Sequence, residues 1–406
     1  MRFWIYQALC AVVLDQKYSN LYLRTHLADC PKKDQALATR IFYGTIQNWA
    51  NCQACWQRLV KHQPNKKVGV LLTMSVYQLL FLDKVPSYAV VNDAVSISKK
   101  ISPSSKGLVN AVLRKVQPLD LDDSISSIAL RYSIPEWLMR LWIKQYGKDQ
   151  AIWNAQASLH ILPTYVRRNP LQVDAISFAN EDSIDDIGQR LPIYTGTNFA
   201  QDPLYKAGKM SAQDIGSYAI AQFVEAKAGD CILDCCSAPG TKAMAMAEMM
   251  DNEGSITCLD LHEHRVQLIE KDAKRLHLSI IHPQQADAST YSSMMYYDKV
   301  LCDVPCSGYG VLSRKPDIKL HMQPTDMDTL IPLQAAILQN ASRLVRDGGI
   351  LVYSTCTLNK KENEKQVQAF LKQAPDFHLI EEKTLFPNEL RDGFYMAKMQ
   401  YKKTLL

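Results

Sequence analysis

The sequence predicts a multi-domain chain: an all-α front, a small α+β connector and an α/β rear built on a parallel sheet. Three observations carry this. Up to about residue 117, apolar residues recur at three and four, Pro and Gly mark the breaks, and β-branched alternation is absent. Between 164 and 214, strand-like and helix-like runs are mixed. From Gly229 onward, short apolar strands alternate with helices of ten or more residues, the pattern of βαβ units. A length of 406 residues agrees, allowing two or three domains at about 150 residues each.

In order, the helical front reads from residues 36–60, 68–83, 89–101 and 107–116. The acidic, Ser-rich stretch 117–127 is the linker candidate, and a helix carrying Trp137 and Trp142 follows it. In the connector, 164–170 reads as a strand, 176–189 as a helix and 191–196 as a second strand. In the rear, strands at 232–236, 256–260, 299–303 and 350–355 alternate with helices at 242–250, 263–276, 330–345 and 362–373. A third strand is expected just before QADAS, between the second and the fourth. The expected domains are therefore 1–125, 126–210 and 211–406.

Composition narrows the class. Apolar residues make up 47% and charged residues 21%, which excludes a disordered, collagen-like or disulfide-scaffold chain. No run of 18 apolar residues exists, so no membrane span is expected. The densest run, 68–82, contains Thr, Ser, Tyr and Gln and reads as a buried core helix. The opening FWIYQALCAVVL looks superficially like a secretory signal, but no small-residue cleavage site follows, so it reads as a first amphipathic helix. Eleven cysteines scattered without a framework point to reduced thiols and a cytoplasmic location. The net charge of +5 is uneven: residues 1–140 hold 18 Lys/Arg against 9 Asp/Glu, a balance of +9 that leaves −4 for the rest. A basic front suggests a polyanionic partner.

The motifs all fall at the carboxyl ends of strands, where parallel sheets bind ligands. The first is DCCSAPGTK over 234–242, between a strand and a helix. Its small residues let a nucleotide-like ligand approach the backbone, and the helix start offers N–H groups. Gly240 is its one glycine and Pro239 lacks an N–H, so a compact adenosine-type ligand suits it better than a pyrophosphate. Asp260 ends the next strand, 20 residues after Gly240, a position suited to ribose hydroxyls. Asp287 follows the third strand and could meet an adenine amino group; Asp303 ends the fourth. DVPCSGYG over 303–310 holds Cys306 at the sheet's edge, and YSTCT over 353–357 places Cys356 at the end of the fifth strand. If the fourth and fifth strands are neighbours, the two thiols face one pocket.

An adenosine cofactor beside thiols fits methylation at carbon 5 of a pyrimidine. That carbon is a poor nucleophile until a thiolate adds to carbon 6. A cysteine near its ordinary pKa needs local help to ionise, and an acid near ring N3, such as Asp303, would stabilise the adduct.

The same residues resemble the Fmu/Sun family of RNA (cytosine-C5) methyltransferases. The family's D-x-C-A-A-P-G-G-K is matched by DCCSAPGTK, and its D-A-P-C-S-G-x-G-V-x-R-R-x-P-D by DVPCSGYGVLSRKPD. Its Y-x-T-C-S…E-N is matched by YSTCTLNKKENE, its D-G-F-F-M-A-K by Asp392 to Lys398, and its Q-D by Gln213-Asp214. The front, through YGTIQNW, SVYQLLFLDKVPSYAVVNDAV and KGLVNAVLRK, is similar to the NusB-like RNA-binding domain that a branch acting on 16S rRNA carries and most relatives lack.

The resemblance implies a NusB-like front, a Rossmann-like class I methyltransferase rear, S-adenosylmethionine as cofactor and 16S rRNA, naked or early in assembly, as substrate of a monomer. It implies Cys356 as nucleophile, Cys306 as the thiol that assists release, and Asp303 beside them. The cofactor would lie against Cys236, Ser237, Ala238, Pro239, Gly240, Thr241, Lys242, Asp260, Asp287 and Asp303. Departures from the family pattern are Ser237 for Ala, Thr241 for Gly, Ala243 for Thr and Val304 for Ala. Thr241 adds a side chain where the family keeps the backbone bare.

Cys52 and Cys55 form a CxxC inside a helical pattern and read as structural; no metal is expected. His262 and His264 read as solvated surface. Lys99, Lys100, Lys106, Arg114 and Lys115 are candidate phosphate contacts, extended by Arg167 and Arg168 into a track towards the pocket. Three alternatives stand: the same chemistry on tRNA or 23S rRNA, an amino-group methyltransferase using Asp303-Val-Pro as its clamp, and a non-catalytic RNA-binding assembly factor.

Overall fold

The computed structural model describes residues 1–185, 191–196 and 198–403. The chain forms two compact units, Met1–Ile161 with Val311–Gln323, and Leu162–Gly310 with Pro324–Leu406.

The first unit is helical. Helices Arg2–Val13, Gln35–Gln47, Trp49–Gln57, Lys66–Phe81, Ser87–Ile101 and Lys106–Lys115 bury one apolar cluster that includes Ile5, Leu9, Phe42, Trp56, Leu71 and Val109. Polar residues inside the densest apolar run are satisfied locally. Ser75 donates to the Leu71 carbonyl at 2.8 Å, Gln78 to the Met74 carbonyl at 3.1 Å, and Thr73 accepts from the Trp56 indole at 2.9 Å. Asn65 caps this helix by accepting from the Val68 N–H at 2.9 Å. The signal-like opening is a core helix, and Arg2 at its start reaches Gln78 and Asp93, both at 2.7 Å. No helix among the described residues is long and apolar enough to cross a membrane.

The stretch expected as a linker is tied down within this unit. Arg58 donates to the carbonyls of Gln117 and Pro118, and Arg131 to those of Leu121 and Asp122. The insertion Val311–Gln323 joins the same unit through side chains. Ser19 donates to Asp317, Gln47 to the Ser313 carbonyl at 3.2 Å, and Lys319 to the carbonyls of Gln47 and Tyr132 at 3.3 and 3.2 Å. Burial of Lys319 pushes its amine down to about 7.

The second unit is built on a seven-stranded sheet. Its strands are β1 (Cys231–Asp234), β2 (Ser255–Asp260), β3 (Ile281–Gln285), β4 (Tyr297–Asp303), β5 (Val345–Thr355), β6 (Phe377–Leu385) and β7 (Phe394–Tyr401). The order is β6-β7-β5-β4-β1-β2-β3, with β1 to β5 parallel and β6 and β7 antiparallel. The helices are α1 (Ile215–Val224), α2 (Thr241–Met249), α3 (Glu263–Leu276), α4 (Met327–Ser342) and α5 (Glu364–Gln373). Side chains of α4 and α5 pack with Leu233, Val300, Cys302, Leu351 and Tyr353. The alternate residues Ile232, Leu301 and Val352 are equally buried, so both faces of the sheet are covered. In α3 the apolar positions Val266, Ile269, Ala273 and Leu276 are all buried, and the helix ends where His277 turns left-handed at φ 57°.

Three differences from expectation have physical causes. The sheet gains β6 and β7 at one edge. The helix expected over 176–189 is short, Ala175–Ala179, because Asn180 and the acids after it favour a turn; Ile184–Asp185 is a strand paired with Ile193–Tyr194, and 186–190 lie outside the described residues. Arg167 is not a surface RNA contact. It lies on a short strand, Val166–Arg168, paired with Met210–Ala212, and is buried at 3% exposure. It grips Glu248 of α2 through two bonds of 2.6 and 2.9 Å, and also donates to Gln213 and to the Thr241 carbonyl. Arg168, half-buried, donates to the Val173 carbonyl at 2.6 Å.

Arg167→Ala should therefore cost about 3–5 kcal/mol in denaturant unfolding, because it leaves the Glu248 carboxylate buried without its cation. The double variant Arg167→Met/Glu248→Leu should recover most of that loss.

Candidate active site

Strand order reverses between β1 and β4, which opens a crevice beyond their carboxyl ends. The loop after β1 crosses the ends of its neighbours. Cys235 N–H donates to the Leu301 carbonyl at 2.9 Å and Ser237 N–H to the Leu259 carbonyl at 2.8 Å. Gly240 then turns left-handed, φ 98°, into the start of α2; a Cβ there would press on Met244 at 3.1 Å and Ile269 at 3.3 Å. Ala238 and Pro239 form the bend between them. Ser237 and Ala243 are buried, and Cys236 and Thr241 half-buried. Lys242, on the first turn of α2, forms an ion pair of 2.7 Å with Asp303 at the end of β4.

The strand-end acids differ in setting. Asp260 is buried, accepts from the His262 N–H at 3.1 Å and faces Arg265 at 3.4 Å. Arg265 also donates to the Ala238 carbonyl at 2.7 Å, so it ties the end of β2 to the loop after β1. Asp287 is exposed and accepts from the backbone and hydroxyl of Ser289 at 2.8 and 2.6 Å, closing a local turn. His262 and His264 are exposed and stacked at 5.6 Å.

This donor set fits an adenosyl cofactor. The Asp260 carboxylate has lone pairs left for a ribose diol. The Ser237 hydroxyl and both Asp234 oxygens are buried without a hydrogen-bond partner, polar atoms left over beneath the loop. One glycine and a proline offer no nest of N–H groups for a diphosphate.

The thiols meet as expected. Strands β4 and β5 are parallel neighbours with Asp303 opposite Ser354, and the Ser354 hydroxyl donates to the Asp303 carboxylate at 2.9 Å. The sulfurs of Cys306 and Cys356 lie 3.3 Å apart, and none of the eleven cysteines is in a disulfide. Their loops are joined through backbone. Gly310 N–H donates to the Cys356 carbonyl at 3.0 Å, and Gly393 N–H to the Gly310 carbonyl at 2.7 Å. A Cβ on Gly310 would lie 2.1 Å from the Gly393 oxygen, so only glycine permits this approach.

Its contact with Cys356, burial and the nearby Cys356 and Glu362 charges push the Cys306 thiol well above its ordinary range. Burial pushes Lys242 down, but the charge of Asp303 and its hydrogen bond outweigh that, with Asp234 and Cys356 adding in the same direction, so its amine is raised.

In sequence Lys242 falls in the cofactor loop with no sign of its ion pair, and Glu362 shows only as part of a helix-opening motif. In the structure α5 begins at Glu364, and Glu362 is a fully buried acid ahead of it. An acid six residues after a thiol and just before a helix was the available signal.

The model of the 16S rRNA methyltransferase RsmB/F family matches residues 221–400, and that of the NusB family matches residues 1–118. The chain is 34% identical to the probable ribosomal RNA small subunit methyltransferase B of Bacillus subtilis, over 98% of this chain and 97% of the relative. It is 30% identical to the ribosomal RNA small subunit methyltransferase B of Vibrio cholerae, over 90% and 89%. In fold it is similar to the crystal structure of PH0851, with a TM-score of 0.83 over 98% of both chains at 23% identity. The NusB-like front and the class I methyltransferase rear thus stand where the resemblance put them.

Asp234 yields a pH prediction. Burial pushes its carboxyl up to about 7, with the charge of Asp303 adding to the rise and that of Lys242 acting against it. A folded value above the ordinary one means that stability is fully present below the ordinary carboxylate range and is lost as pH rises through about 7. Asp234→Asn removes this titration. Its stability relative to the parent, from denaturant unfolding, should rise by roughly 2–4 kcal/mol between about pH 5 and pH 8.

Proposed function

The chain belongs to the 16S rRNA methyltransferase RsmB/F family, which depends on S-adenosylmethionine, and on that footing we propose that it methylates carbon 5 of a cytosine in 16S rRNA through a Cys356 adduct. The observation that carries this reading is the 3.3 Å approach of Cys306 and Cys356 at the ends of adjacent strands. Amino-group methylation needs no thiol; two thiols in one crevice suit attack on a pyrimidine ring.

Cys356 attacks as thiolate. The interaction with Lys242 is mutual, so the ammonium favours negative charge on that sulfur. A bond forms from sulfur to carbon 6, and electron density moves to carbon 5 and towards N3. Asp303, held by Lys242 and Ser354, is placed to accept from the ring's exocyclic amino group, and the Lys242 ammonium paired with it offsets the negative charge that the adduct gathers. The bound cofactor supplies an electrophilic methyl group. Cys236, Ser237, Ala238, Pro239, Gly240, Thr241, Lys242, Asp260, Asp287 and Asp303 are the residues proposed to hold it. In release, Cys306 passes its proton to the departing Cys356 sulfur and takes the proton of carbon 5. The sulfur–carbon bond breaks as the ring double bond returns. The base must leave its stack to reach these thiols.

Lys99, Lys100, Lys106, Arg114 and Lys115 are all exposed on the helical unit, available for phosphates. Replacing Lys106, Arg114 and Lys115 by Gln should weaken RNA binding and shallow its dependence on salt by about one in log–log slope per lost contact, measured by filter binding across salt concentrations.

Cys356→Ala should abolish methyl transfer to naked 16S rRNA, and Cys306→Ala should trap a protein–RNA adduct that survives denaturant. Full activity in the Cys356 variant would overturn the proposal. Bisulfite sequencing of rRNA from cells with and without the gene identifies the base.

A further inference from the structure

Glu362 is a fully buried acid that the proposed chemistry leaves unused. Among the described residues its carboxylate has no ion-pair partner. It accepts four hydrogen bonds from neutral donors: the Ser307 N–H at 2.9 Å, the Ser307 hydroxyl at 2.6 Å, Gln334 at 3.0 Å and Asn359 at 2.9 Å. Its own carbonyl accepts from the Tyr353 hydroxyl at 2.6 Å. A carboxylate kept out of water is costly unless its lone pairs are met, and this one is met chiefly by the residue after Cys306. Ser307 in turn touches Thr357, the residue after Cys356, hydroxyl to hydroxyl at 2.6 Å, and Thr357 accepts from the Tyr309 N–H at 3.3 Å. Gln334 also donates to the Pro305 carbonyl at 2.9 Å, so both residues flanking Cys306 are gripped from the Glu362 cluster.

We infer that Glu362 is a positioning residue for product release, holding Pro305 to Ser307 so that Cys306 faces the adduct on Cys356. This rests on the cytosine chemistry proposed above. The negative charge of Glu362 also adds to the contacts that keep Cys306 a thiol, the form that can protonate the departing sulfur. An amide in place of the carboxylate would set one N–H₂ against the donors of Ser307, Gln334 and Asn359, freeing the Cys306 segment while the loop that would hold the cofactor is untouched.

The test uses full-length Glu362→Gln with S-adenosylmethionine and naked 16S rRNA, beside Cys306→Ala and Cys356→Ala. Turnover should fall by roughly 10- to 100-fold while KM for RNA and cofactor affinity by calorimetry stay within about twofold, as for misplacement of a reacting group by about an ångström. The fraction of enzyme in a denaturant-stable RNA adduct should rise towards that of Cys306→Ala, which a merely structural loss would not produce. Wild-type turnover, or a loss of turnover without adduct, overturns the inference. Should the Gln variant not fold, Ser307→Ala decides: a smaller rise in adduct supports the inference, and no rise overturns it. If the two cysteine variants behave as proposed and Glu362→Gln is normal, this inference alone fails. If Cys356→Ala methylates normally, the cytosine reading fails and takes it along.

Discussion

The second unit is organised by a backbone contact that only glycine allows. Gly310 donates its N–H to the Cys356 carbonyl and accepts from the Gly393 N–H, so three segments meet where a single methyl group would collide with main chain. One partner follows β4, one follows β5 and the third precedes β7. Each is otherwise free to diverge at the sheet's edge, because ladder bonding ends with the strands. The contact therefore converts neighbouring strands into neighbouring thiols. Parallel pairing of β4 with β5 brings Asp303 opposite Ser354, but it does not carry two sulfurs to within 3.3 Å. It also gives Gly393, in a motif far from either cysteine, a packing role at the same point.

Around that contact the charges are laid out in opposition. Lys242 and Asp303 lie at the crevice on α2 and β4, while Glu362 lies beside the Cys306 segment, held by neutral donors. A cation close to one sulfur and an anion close to the other makes the two thiols unequal although they touch. Two thiolates this close would repel strongly in a medium of low dielectric, so an unequal pair is also the stable one. Residue types alone cannot rank the cysteines, and the resemblance ranks them only by analogy. Under the chemistry proposed for the site, the charge layout points the same way.

Much of this was legible in sequence. The strands ending at Asp234, Asp260 and Asp303 are short apolar runs buried on both faces, and α3 shows its periodicity openly. The two antiparallel strands were not legible. Strand β6 lies at the sheet's edge with most of its residues exposed, and β7 is almost wholly buried, so neither alternates. In sequence Arg167 and Arg168, near a basic domain, look like RNA contacts, because the partner of Arg167, Glu248, is 81 residues away. Glu362 escaped for a related reason: its donors come from β4's loop, α4 and its own turn, and only the fold assembles them.

The motif from Asp303 to Asp317 shows how a contiguous signature can serve two purposes. Up to Gly310 it belongs to the catalytic sheet, and from Val311 it belongs to the helical unit. Ser313 and Asp317 meet Gln47 and Ser19, and Lys319, just past the motif, meets Gln47 and Tyr132. A buried lysine whose amine meets two carbonyls among the described residues, and is pushed down to about 7, is an expensive way to fix a segment unless the position matters. The same fifteen residues thus carry Cys306 in the catalytic unit and end in a segment held by the packing of the helical one.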